Sequence, residues 1–198
     1  MAKTMDVIKY LKENFSNENY VSVFIAGSKP VELKPQSDLD IFVILRNDKV
    51  NKGLDEISEI MDKFILRNKD VKYIFFRGGA IKFEDKGLIH FVIYEDEGDF
   101  KQHEMLSVLE KIKDNSDLIL GKTVKEILRD VDFNNKERIE REKESMLKNY
   151  VLFNSKGYIM ALQWVKEGKN WKNKKIKKFP DDFFSEQIHK YYKKNYNL

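Results

Sequence analysis

Two aspartates, Asp38 and Asp40, open the apolar segment DLDIFVIL, and a Gly27-Ser28 pair closes the apolar segment YVSVFIA ahead of it. Alternate residues of a strand share a face, so Asp38 and Asp40 point one way while Leu39, Ile41, Val43 and Leu45 point the other. Carboxylates roughly 7 Å apart at their Cα atoms are placed to ligate one hard cation or to flank a pair of them. A cation also relieves their mutual repulsion, and oxygen donors select Mg2+ or Mn2+. Gly27 permits positive φ and close approach of a ligand, and Ser28 adds a hydroxyl beside the turn N–H groups; such a turn holds phosphate oxygens. Metal and phosphate chemistry side by side describe a site for a nucleoside triphosphate with its metal. A Gly-Ser turn or an Asp-x-Asp alone is most often structural. Together they are far more specific, because they lie on two apolar segments joined by a loop in which Pro30 and Pro35 forbid a regular strand.

This arrangement resembles the nucleotidyltransferases of the DNA polymerase β superfamily, in particular the small prokaryotic minimal and antibiotic-type members. Their signature is an apolar strand, Gly-Ser or Gly-Gly, a short spacer, then Asp-x-Asp or Asp-x-Glu between apolar residues. Here it reads FIAGS, eight residues, SDLDIFVI, over the first half of the chain, with a spacer slightly shorter than the family's. The resemblance implies that Gly27 and Ser28 grip the triphosphate and that Asp38 and Asp40 hold the catalytic Mg2+ or Mn2+. It further implies a mixed α/β nucleotidyltransferase fold and transfer of a nucleoside monophosphate, with ATP the expected donor, to an acceptor hydroxyl. Lys29, Pro30 and Val31 stand where many small members carry Ala-Arg-Gly. The family's third carboxylate, on a later strand, has no unambiguous counterpart.

The elements that must position these residues are read from periodicity. Val7, Ile8, Leu11 and Phe15 recur at helical spacing, and Leu54, Ile57, Ile60, Met61, Phe64 and Ile65 predict a strongly amphipathic helix. Strands are predicted over 71–76, 80–83 and 88–94, the last two as a hairpin through Glu84 to Gly87. In LIHFVIY, His90 occupies the place where the family has its acid. It is open to three readings: a general base or metal ligand, a structural histidine with Glu84 or Glu95 supplying the carboxylate, or the mark of a chain that keeps nucleotide binding without turnover. Imidazole is a poor Mg2+ ligand, which favours a base or phosphate-contacting role. Arg77 offers a guanidinium fork for the triphosphate, or is a solvated arginine before a Gly-Gly turn.

The acidic loop 95–99 suggests a boundary between a nucleotidyltransferase domain, 1–98, and a C-terminal α-helical domain, 99–198. Apolar spacing there predicts helices around 105–112, 124–128, 139–151, 158–165 and from Pro180 onward, and no strands; Leu120 to Thr123 reads as a break. Between the last two helices lies KEGKNWKNKKIKK, residues 166–178, with seven lysines, one glutamate and Trp171. It suits a nucleic-acid backbone with a stacking aromatic, or a solvated loop. Residues 134–198 hold 16 Lys and Arg against 8 Asp and Glu, while residues 1–133 hold 21 against 25. The basic portion therefore attracts polyanions. The chain lacks cysteine, an apolar run of membrane-spanning length and a secretion signal, which predicts a cytoplasmic protein with no membrane partner. The acceptor is left open among a small molecule, a protein and RNA. A nucleotide-binding regulatory module is the alternative to an enzyme.

Overall fold

Val7 and Leu11, one helical turn apart, form the inner stripe of α1 (Thr4–Asn14), and Phe15 follows directly at its end. The two apolar segments become strands β1 (Tyr20–Ala26) and β2 (Asp38–Leu45). After them come α2 (Val50–Arg67), β3 (Val71–Phe75), β4 (Gly79–Phe83), β5 (Leu88–Tyr94), α3 (Glu97–His103), α4 (Leu106–Asp114), β6 (Asp117–Gly121), α5 (Val124–Ile127), α6 (Lys136–Lys156), β7 (Ile159–Glu167), β8 (Asn170–Lys178) and α7 (Asp182–Tyr196). The computed structural model describes residues 4–27, 38–67, 71–75, 79–83, 88–180 and 182–196.

Six strands form one sheet in the order β3-β4-β5-β2-β1-β6. Strand β2 runs parallel to β5, and the other neighbours are antiparallel, so the protein is mixed α/β. Parallel neighbours need a crossover, which α2 and the β3–β4 pair supply. One face of the sheet carries Val23, Ile25, Leu39, Ile41, Val43, Leu45, Ile89, Phe91 and Ile93 against the inner stripes of α1 and α2. On the opposite face Phe24 and Phe42 stack at 5.1 Å, and Phe100 of α3 meets them edge-on at 5.9 and 6.4 Å. Such ring pairs add about 0.5–1.5 kcal/mol each beyond their area burial. Position 100 is held there because the Asp96 side chain accepts from the Asp99 N–H and caps α3.

The chain divides into two compact units, Met1–Phe133 with Trp164–Lys172, and Asn134–Gln163 with Asn173–Leu198. Within the first, Trp164 is buried among the residues under α1 and α2, and the Trp171 ring packs at their margin. Within the second, Tyr150 stacks on Tyr192 at 4.2 Å, Tyr150 and Phe153 both contact the ring of His189, and the Tyr192 hydroxyl donates to the Met146 carbonyl.

Three expectations for residues 99–198 are corrected. Residues 158–165, read as a helix, lie almost wholly in strand β7, and the lysine segment, read as a loop, ends β7 and supplies β8; the C-terminal stretch is thus not purely α-helical. Gly168 and Lys169 alone join these strands, with Gly168 at φ +61°, which a tight two-residue hairpin turn requires. Residues 117–121 form β6 on the edge of the main sheet, so Leu120 and Gly121 end a strand rather than separate two helices. Among the described residues no helix is long and apolar enough to cross a membrane.

Candidate functional site

The register of three strands gathers the site. Asp40 lies opposite Ala26 of β1 on one side and His90 of β5 on the other, and Asp38 lies opposite Leu88. Alternation puts Asp38, Asp40 and His90 on the same face as the aromatic cluster, toward the start of β2, while Leu39 and Ile41 go to the core beneath α1 and α2. Both aspartates remain partly exposed. Nδ1 of His90 lies 3.2 Å from Oδ1 of Asp40. A carboxylate only accepts, so the ring nitrogen that faces it, Nδ1, carries a proton, and Nε2 lies on the far side of the ring from Asp40.

Gly27 directly follows β1 with φ +83°, and the point where a Cβ would sit is 3.3 Å from Oδ2 of Asp40. The backbone thus approaches the carboxylate edge that His90 does not use. Beyond Gly27 lies an open depression lined by Gly27, Lys111, Ile112 and Asn115. Its position follows from pairing: Ile25 of β1 faces Asp117 of β6, which carries Gly27 toward Asn115 and the last turn of α4. Asn115 Nδ2 donates to the Lys111 carbonyl, and the Lys111 side chain is exposed. Sequence reasoning did not select Lys111 or Asn115. Their segment reads as an ordinary helix end, and only the β1–β6 register reveals their neighbour.

The structure brings together Gly27, Asp38, Asp40 and His90 of the expected residues. Ser28, Arg77 and Glu84 lie outside the described residues. Glu95 does not complete the site: it lies five residues beyond His90, roughly 17 Å along the strand direction, past the Tyr94–Ile44 pair. Its carboxyl is pushed above the usual range by burial and then by the charges of Asp99 and Asp96, and its N–H donates to Asp99 at 2.9 Å. Among the described residues no three His, Cys, Asp or Glu side chains cluster as a metal site.

Trp171 is also placed differently from the expectation that it is available to stack on a base. Its Nε1–H donates to Asp55 at 2.9 Å, its N–H donates to Asn51 at 2.7 Å, and Lys166 lies 5.6 Å from its ring centroid. The turn end of the hairpin is thereby pinned to α2. No protein-family model matches this sequence, and no curated protein or solved structure matches it either.

Proposed function

We propose that this protein is a nucleotidyltransferase of the polymerase β type, moving a nucleoside monophosphate from a triphosphate, ATP being the first to test, onto an acceptor hydroxyl. The observation that carries this reading is the row Gly27–Asp40–His90 with Asp38 one strand alternation away: a glycine turn, two carboxylates and a base within one face of the sheet. The two carboxylates fit Mg2+ or Mn2+, since Mg2+ takes one or two protein carboxylates and fills its shell with water and substrate phosphates. Asp38 and Asp40 would hold it, and when bound it supplies neutralisation of the triphosphate charge.

The protein's own residues account for positioning and proton movement. Gly27 admits phosphate oxygens at the end of β1, and Lys111 places a cation by the same depression for the terminal phosphates. Asp40 Oδ1 accepts from Nδ1 and orients the His90 ring, whose Nε2 would accept the proton of the acceptor hydroxyl. The acceptor oxygen then bonds to the α-phosphorus, the bond from that phosphorus to the bridging oxygen breaks, and pyrophosphate leaves with that electron pair. The proton passes from His90 to solvent.

The test is incubation of purified protein with each α-labelled nucleoside triphosphate and Mg2+ or Mn2+, with cell extract as the acceptor pool. Transfer of label should vanish with EDTA and fall at least about 100-fold in Asp38→Asn and Asp40→Asn. Lys111→Ala should raise KM for the nucleotide about tenfold and leave kcat near its original value, as loss of one charge-assisted phosphate contact does. Nucleotide binding that persists without any label transfer would instead make this a binding module that lacks turnover.

A further inference from the structure

Phe179 is 70 % exposed, an unusual place for a large aromatic ring. It directly follows β8 in the second unit, at the end of a stretch in which no acidic residue occurs between Glu167 and Asp181. Strand alternation puts Lys175, Lys177 and Phe179 on one side of the backbone at intervals of roughly 7 Å, and all three are exposed. That interval is comparable to the spacing of successive phosphates in an extended single strand. The Phe179 ring meets Tyr158 at 5.7 Å between centroids and 63° between planes, while Nζ of Lys177 sits 5.0 Å from the Tyr158 centroid. Lysines and aromatic rings therefore form one patch rather than two separate features.

The chemistry of this patch selects its partner. Tyr158 steadies the Phe179 ring without burying it, which leaves a flat apolar face in water beside a row of ammonium groups. Every nucleobase presents a π-face to such a ring, and every linkage presents an anion to such a row. A duplex keeps its base faces stacked inside and cannot use the ring. Trp171, fastened to Asp55, takes no part. We propose that Tyr158, Lys175, Lys177 and Phe179 form a binding surface for single-stranded nucleic acid, with a base stacked on Phe179 and the lysines on the phosphates. This site is independent of the nucleotidyltransferase reading.

The test uses the full chain and fluorescein-labelled oligo(U), oligo(dT) and a duplex of equal length, titrated by anisotropy over a series of salt concentrations. Single strands should bind more tightly than the duplex, with log K falling by about 0.7 per neutralised phosphate for each unit of log salt. The double variant Lys175→Gln, Lys177→Gln should flatten that slope. Phe179→Ala should weaken binding about tenfold at every salt concentration with the slope unchanged, as loss of one stacked base does, and Phe179→Trp should restore it. Phe179 is so exposed that its variants should melt with the parent. Either order between oligo(U) and oligo(dT) supports the surface and names the preferred sugar. No binding at low salt, a duplex bound as tightly as single strands, or a Phe179→Ala protein that binds like the parent would each overturn the proposal; the last would reduce the patch to a nonspecific attraction for polyanions.

Discussion

At Gly27 the backbone itself approaches the chemistry. An alanine there would hold an L-residue at φ +83°, which costs about 1–2 kcal/mol, and would place its methyl 3.3 Å from Asp40 Oδ2. Under the proposed nucleotidyltransferase function, Gly27→Ala should therefore lower label transfer far more than thermal stability; equal activity per folded molecule would show that nothing needs the space beside Oδ2. Nδ1 of His90 sits 3.2 Å from Asp40. With the imidazole taking the acceptor proton, His90→Ala should lower kcat about 10^2–10^4-fold and leave KM for the nucleotide near its original value. A variant that turns over like the parent would assign His90 a merely structural role. The Asp-x-Asp face was legible in the sequence because alternation alone decides it. The Asp40–His90 pair was not, since a one-residue slip of β5 along β2 would bring Ile89 or Phe91 opposite Asp40, and register is a property of two distant segments together.

Elements with a clean period were legible for the same physical reason. The stripe from Leu54 to Phe64 became α2, and the apolar run 20–26 became β1. The hairpin β7–β8 was misread because Tyr158, Ile159, Leu162 and Val165 satisfy helical spacing by accident, while lysines at every second or third residue hide the alternation of β8. What holds the hairpin's turn end is long-range: Lys166 Nζ lies 2.6 Å from Oδ1 of Asp55, and the Trp171 indole donates to the same oxygen. The bond from Lys166, helped by that from Trp171 and by the Lys166 charge, holds the Asp55 carboxyl below its usual range; desolvation opposes it, by less than the Lys166 bond alone but more than the Trp171 bond. A depressed carboxyl stabilises the fold above the unfolded-state value of about 3.9 and loses that contribution as pH falls through the lower folded value. Because Asp55 is well exposed, the contribution is less than about 1 kcal/mol. Asp55→Ala, which removes the acceptor, should shift Trp171 fluorescence to the red at neutral pH and abolish the acid-induced part of that shift. Spectra that match the parent at every pH would mean that Asp55 does not hold the indole.

At the scale of the molecule, composition located the charge but not the folding units. By sequence, the 56 residues of the second unit carry 13 Lys and Arg against 7 Asp and Glu, so the excess of positive charge resides there. The first unit, however, is built from two separated pieces of chain, and no local pattern announces that Trp164–Lys172 belongs with residues before 133. The reason is energetic: Trp164 is only 3 % exposed and packs with Val7, Leu11 and the α2 stripe, a burial that periodicity within 159–178 cannot reveal. Loss of a buried tryptophan costs about 3–5 kcal/mol, a large share of the roughly 5–15 kcal/mol that keeps a domain folded. A chain cut after Phe133 should therefore unfold at markedly lower urea than the first unit of the intact protein, and Trp164→Ala in the full chain should reproduce most of that loss. A 1–133 fragment that unfolds at the same urea concentration as the intact protein would show that the first unit stands without its second piece.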